Sequence, residues 1–233
     1  MLPLGDILDR LAEMYGEPSP PPPKTLLDLV LLENVAYLAS DERREQAFKM
    51  LQKHIGTRPQ RILAASDEAL VAVAGQGILP EHQAGKLKTI ARIAQDSFGG
   101  DLESLRDQPL EKAKKALMRF PSIGEPGAEK ILLFGRSHPV LGLDSNGVRV
   151  LTRLGFVQEA KSYAATYRAV QAMVDPYQSL GYPWLIRAHQ LLRQHGQGLC
   201  RRTQPRCDRC PVARECAFYV GAGLDLLSLT PDP

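Results

Sequence analysis

The sequence predicts an all-α protein, and three observations carry that prediction. Leu, Ala, Arg, Lys, Glu and Gln dominate the chain, and these residues lose little freedom on entering a helix. Strand-like alternation is nearly absent. Apolar residues recur at helical spacing from the outset, with Leu4, Ile7, Leu8, Leu11, Met14 and Tyr15 falling on one face. At 233 residues, 44% hydrophobic and 24% charged, the chain can bury one large core or two small ones.

The elements follow in order. Gly16 ends the first helix, and the run from Glu17 to Pro23 reads as a stiff, extended connector. A buried helix is expected over Thr25–Ala39. Ser40 caps the next helix, with Arg43 and Arg44 outside and Ala47, Phe48 and Leu51 inside. Thr57-Arg58-Pro59 breaks the chain. Two short pieces then run from Ile62 to Ala74, the second capped by Ser66. Gly75-Gln76-Gly77 and Pro80 mark a turn before a helix over His82–Phe98. Further helices are expected over Leu110–Arg119, Ala128–Phe134, Asp144–Leu154, Ala160–Val174 and Pro183–His195. The tail, 221–233, has a leucine-rich stretch that could fray or dock. The most apolar stretch, Leu26–Leu32, is short and contains Asp28, so no membrane span is expected.

All four cysteines lie in one seventeen-residue loop: Cys200, Cys207, Cys210 and Cys216, spaced C-x6-C-x2-C-x5-C. Nothing at Met1–Pro18 resembles a signal peptide, which argues for a cytosolic chain and against disulfides. Four thiolates from one loop suit a [4Fe–4S] cluster or a structural zinc. The single C-x-x-C pair fits the cluster better, because zinc sites usually offer two such pairs. The loop also carries Arg201, Arg202, Arg206, Arg209 and Arg214 against Asp208 and Glu215. That excess of three positive charges equals the net charge of the whole chain. A basic loop pinned by a metal is a phosphate-binding surface, or a solvated loop whose arginines offset the thiolates.

Phe120 to Ala128 joins two helices through a short turn, Ser122-Ile123-Gly124-Glu125-Pro126-Gly127. Such a turn either merely connects helices or points backbone N–H groups and a helix N-terminus at a phosphate. In the second case Gly124 supplies backbone freedom, Gly127 permits close approach and Ile123 plugs the space between the helices.

This turn resembles the helix-hairpin-helix of the endonuclease III superfamily of DNA glycosylases. The resemblance continues with Gly135, Pro139 and Asp144 in Leu143-Asp144-Ser145-Asn146. It closes with the His195-Gly196 pair before a cysteine loop of the family's [4Fe–4S] spacing. It covers roughly Thr25 to Tyr219.

The resemblance implies an all-α, two-domain helix-hairpin-helix DNA glycosylase fold. A six-helix barrel would span 25–138, with the hairpin at about 112–134. A helical [4Fe–4S] domain would comprise 1–24 and 139–220. Family members flip a nucleotide out of duplex DNA and cut its N-glycosidic bond in a cleft between the domains. Asp144 matches the family's catalytic aspartate, although an aspartate there could also simply cap a helix. Glu33, in an apolar run, matches the region facing the flipped base and could protonate a leaving purine; otherwise it is exposed or paired with an arginine. Ile78 and Leu79 match an apolar wedge, or else they are core contacts. Tyr182, Trp184 and His195 are expected to pack near the interdomain face.

Two departures stand out. Bifunctional members carry a lysine where this chain has Pro126, which has no amine to form a Schiff base. Lys130, one helical turn later, is a possible substitute or an exposed helix residue. Ser122 stands at the hairpin's usual first glycine and would be accommodated at negative φ. The expectation is therefore a monofunctional enzyme of base excision repair, monomeric and in a prokaryotic cytosol. It would use Asp144 and water on a damaged or mispaired base in double-stranded DNA. Arg201, Arg202, Arg206 and Arg209 would contact DNA. A non-catalytic lesion binder, or a glycosylase/lyase using Lys130, are the alternatives.

Overall fold

In the computed structural model the described residues are 2–221, and every regular element among them is helical. The chain divides into two compact units: Met1–Pro21 with the chain from Pro139 onward, and Pro22–His138. The leucine-rich tail falls outside the described residues. The first helix, α1 (Leu4–Tyr15), buries Leu4, Ile7, Leu8, Leu11 and Ala12. Met14, expected on that face, is instead exposed.

The unit from Pro22 to His138 holds seven helices. They are α2 (Leu26–Asn34), α3 (Asp41–His54), α4 (Pro59–Ala64), α5 (Asp67–Ala74), α6 (Pro80–Phe98), α7 (Leu110–Leu117) and α8 (Glu125–Phe134), with a 3₁₀ turn at Glu103–Asp107. Long α6 packs against α2, α4 and α5, while α2 also meets α3 and α8. Thr25, Ser40 and Ser66 cap α2, α3 and α5 by accepting from Asp28, Arg43 and Ala69 N–H. Fully buried Leu26, Val30, Leu31, Phe48 and Leu51 form part of its core. Burying each such side chain contributes about 1.5–3 kcal/mol relative to exposure.

The helix expected over Thr25–Ala39 stops at Asn34. The Asn34 amide bonds back to Val30 O at 3.1 Å, and the chain turns so that Tyr37 forms an antiparallel bridge with Ile78. Arg44, expected outside, is half-buried and reaches Ala39 O.

The other unit adds α9 (Ser145–Leu154), α10 (Tyr163–Val174), α11 (Gly181–Gly198) and α12 (Ala217–Gly221) to α1. Helix α11 packs on α9 and α1, and α9 also meets α10 and α12. Gly196 makes the α9–α11 approach possible. A Cβ there would lie 2.7 Å from Asn146 Cβ and 2.9 Å from Asn146 O.

Candidate functional site

The 120–128 turn is held by Phe120 and Ile123, both buried. The backbone differs from expectation. Ser122 sits at φ +61°, in the left-handed region that costs a non-glycine residue about 1–2 kcal/mol. Gly124, expected to supply freedom, has φ −93° and ψ −176°, a conformation open to any residue. A Cβ on Gly127 would meet only Ile123 Cγ2, at 3.7 Å, so close packing within the chain does not demand glycine there. Helix α8 starts at Glu125, three residues early. Pro126 occupies its first turn, where a missing N–H leaves no intrahelical bond unmade.

Two lysines frame this hairpin, and sequence reasoning singled out neither. Lys86 of α6 donates to Ser122 Oγ at 2.8 Å and lies 5.6 Å from the centre of the Tyr37 ring. Lys114 of α7 is buried and reaches Glu111, Glu125 and Glu129 at 3.1, 2.8 and 2.7 Å. Burial works to lower its pKa, but the hydrogen bonds it donates to Glu125 and Glu129 outweigh it and hold the ammonium well above its ordinary range. Lys114 thereby ties the end of α7 to the start of α8.

Ile78 and Leu79 are 51% and 57% exposed and so are not core contacts. Gly77 holds their turn against the strand-like segment at Tyr37, since a Cβ there would lie 2.5 Å from Tyr37 N. Leu38 and Leu79 both have positive φ, 51° and 54°, and both project outward. Glu33 is neither free nor paired with an arginine: Lys130 Nζ lies 2.6 Å from its Oε2. Both side chains are about four-fifths covered, so Lys130 is not the exposed helix residue its sequence position suggested.

Asp144 is the N-cap of α9. Its Oδ1 accepts from the N–H groups of Asn146 and Gly147 at 2.9 and 3.0 Å. Its Oδ2 accepts from Asn146 Nδ2 at 3.0 Å and Arg193 Nε at 2.9 Å. Burial alone would raise its pKa. The bonds from Asn146 and Gly147, with the charges of His189 and Arg193, outweigh that and leave it below the ordinary aspartate value. The Asn146 amide is itself fixed, because its Oδ1 accepts from Arg149 Nη2 at 2.7 Å. Arg149 also donates to Cys200 O and Gly196 O, at 2.9 and 2.8 Å.

The four thiols are free of disulfides and line one cavity with His195, Val150, Leu199 and Val212. Among the described residues no three His, Cys, Asp or Glu side chains converge closely enough for a single metal ion. Burial first, and then the neighbouring cysteines, push the Cys210 thiol up to about 12 despite a Val212 N–H that lowers it. The donor set fits a metal centre, since coordination by a cation deprotonates a thiol outright. His195 is among the residues that line this cavity. Its Nε2 lies 3.5 Å from Cys210 Sγ and its Nδ1 3.0 Å from the Tyr15 hydroxyl. Trp184 stacks on Tyr177.

Arg202, Arg206 and Arg209 are exposed, while Arg201 is half-buried and its Nε has no partner among the described residues. Arg153 was missed by sequence reasoning. It donates to Arg201 O and Arg202 O, at 2.7 and 3.1 Å, and lies 3.6 Å from Cys200 Sγ. The i, i+4 spacing of Arg149 and Arg153 on α9 was the available signal.

No protein-family model matches the chain. Endonuclease III of Rickettsia conorii is 24% identical over 221 residues, covering 91% of this chain and 96% of that protein. A structure of endonuclease III trapped in a covalent intermediate with DNA superposes with a TM-score of 0.73 at 19% identity. It covers 96% of this chain and 100% of the other. A thermostable thymine-DNA glycosylase gives 0.71 at 16% identity, covering 94% and 95%. The fold is that of endonuclease III, and the ordered motifs lie along a similarity that spans nearly the whole chain. The chain is thus similar to endonuclease III over nearly its whole length and has the all-α helix-hairpin-helix DNA glycosylase fold that endonuclease III typifies.

Proposed function

We propose that this chain is a monofunctional DNA glycosylase. It hydrolyses the N-glycosidic bond of a damaged or mispaired base in duplex DNA, with water as the nucleophile. The observation that carries the reading is the state of Asp144, a half-buried carboxylate kept ionised by four hydrogen bonds. As the base departs with the bonding pair, the sugar carbon becomes cationic. Water then bonds to that carbon and loses a proton. A carboxylate with a depressed pKa is a weak base, so Asp144 works chiefly by stabilising the cationic sugar and orienting water.

In this reading the 120–128 hairpin, with Ile123, Gly124 and Gly127, takes a backbone phosphate. Ile78 and Leu79 enter the base stack, and Arg202, Arg206 and Arg209 join Arg201 in contacting DNA. Residues 25–138 form the barrel domain, and 1–24 with 139–220 the cluster domain. A [4Fe–4S] cluster on Cys200, Cys207, Cys210 and Cys216 would supply a structural crosslink for the basic loop. Pro126 offers no amine, and Lys130 is engaged by Glu33, which supports hydrolysis over Schiff-base chemistry. In the same reading Glu33 lines the pocket for the flipped base. The protein acts as a monomer, and no described helix is long and apolar enough to cross a membrane.

The test is a panel of duplexes, each with one lesion or mismatch. The expected product is an intact abasic strand, cleaved only after alkali. A borohydride-stable protein–DNA adduct would refute the monofunctional reading and point to Lys130. Tight lesion binding without release of any base would favour a non-catalytic binder.

A further inference from the structure

Lys86 is an ammonium held in place without a counter-ion. Its Nζ is fixed by the 2.8 Å bond to Ser122 Oγ and by the Tyr37 ring 5.6 Å away. Lys24, Lys88, Lys114 and Lys130 each pair with a carboxylate. No carboxylate pairs with Lys86 among the described residues. A lysine whose ammonium has a hydroxyl acceptor and an aromatic neighbour but no carboxylate is poised for an anion from outside the chain.

The acceptor it already touches says where that anion belongs. Ser122 opens the hairpin turn, and the strained φ of +61° turns its hydroxyl toward α6. The next residues lead into the N-terminus of the ten-residue helix α8. The amides of Gly124, Glu125 and Gly127 have no acceptor among the described residues. Glu125 does not supply the anion, because its carboxylate is drawn away to Lys114 at 2.8 Å. The ammonium, the hydroxyl and the unpaired amides therefore belong to one turn.

We propose that Lys86 is a phosphate-binding residue of the hairpin, its ammonium taking an oxygen of a DNA backbone phosphate seated at the 120–128 turn. This rests on the reading of that turn as a duplex-binding element. The Lys86–Ser122 bond orients both groups before DNA arrives, and the Tyr37 ring limits where the ammonium can go. Lys86 also lies on the helix that the Ile78-Leu79 turn leads into, so α6 links that exposed apolar turn to the hairpin.

The test measures affinity for a duplex carrying a stable abasic-site analogue, across salt from about 50 to 200 mM. Lys86→Met removes both charge and donor. Lys86→Gln keeps a donor for Ser122 but removes the charge. Both should make the slope of log K against log salt shallower by about 0.9 and weaken binding about 8-fold at 0.1 M salt. Lys86→Arg should restore the slope. Lys88→Met, on the same helix but paired with Asp67, should leave it unchanged. Wild-type slopes in Lys86→Met and Lys86→Gln would overturn the proposal even if affinity fell, because they would mean that Lys86 only braces the hairpin. An equal change in Lys88→Met would overturn it too, by showing a general charge effect. If the wild-type protein bound no duplex at all, the reading of the hairpin would fail first and this inference with it.

Discussion

Replacing Asp144 with Asn separates the two roles this side chain could have. The carboxylate accepts four hydrogen bonds. An Asn side chain can keep the two backbone donors on its single oxygen. Its amide nitrogen would then face two further donors, Asn146 Nδ2 and Arg193 Nε. Asn146 cannot turn round to relieve the clash, because its oxygen is held by Arg149 at 2.7 Å. Two bonds to a charged acceptor are lost, each worth about 1.5–3 kcal/mol. The Arg193 side chain is 25% exposed, so screening moves its share to the low end. The expected destabilisation is about 2–4 kcal/mol, a large part of a typical 5–15 kcal/mol total but not all of it.

Melting should therefore fall by roughly 5–15 °C, with the helical circular dichroism signal retained below the transition. Base release under single-turnover conditions should fall by about 10²-fold or more, while binding to an abasic-analogue duplex persists. Unchanged melting would show that the capping network does not bear on stability. Base release at the wild-type rate would remove Asp144 from the chemistry altogether, whatever the melting showed.

Anaerobically purified protein should absorb broadly near ~400 nm and carry about four irons, and Cys207→Ser should lose both; stoichiometric zinc without iron would refute the cluster. The stability gap between wild type and Asp144→Asn should depend on pH with a definite sign. The folded pKa of Asp144 is depressed, so its contribution is fully present above the unfolded carboxylate value and is lost as pH falls through the folded one. Denaturant titrations should show a constant gap from about pH 8 to pH 5 that narrows only below about pH 4. Narrowing already near pH 6 would mean a raised pKa and contradict the hydrogen-bond pattern.

What was legible in the sequence was what depends on local chemistry. Ser40 and Ser66 announced helix starts because capping is a contact over three residues. The cysteine loop was legible because all its ligands lie within seventeen residues. Asp144 could be read as a cap from its position before α9, and as a candidate catalytic group through the resemblance. The early end of α2 was not legible. Its cause is the bridge from Tyr37 to Ile78, which lies forty-one residues away in the chain. Nor was the left-handed Ser122, since its hydroxyl partner Lys86 comes from another helix. Glu33 and Lys130 looked independent because ninety-seven positions separate them.

Helix α9 joins the two features that sequence reasoning treated separately. At its N-terminus Asp144 is gripped by Asn146, Asn146 by Arg149, and Arg149 by the carbonyl of Cys200. One turn on, Arg153 holds the carbonyls of Arg201 and Arg202. The cysteine loop thus supplies acceptors for both arginines, one of which, Arg149, orients the carboxylate's partner Asn146. These are charge-assisted bonds in a partly buried setting, where losing one end leaves a guanidinium without its acceptor. Among the described residues Arg149 has no carboxylate partner of its own and depends on Asn146, Gly196 and Cys200 for acceptors. Disorder in the loop would release Arg149, then the Asn146 amide, and with it one of the four bonds to Asp144. A centre that only crosslinks its loop can therefore still affect the order of a carboxylate at the far end of one ten-residue helix.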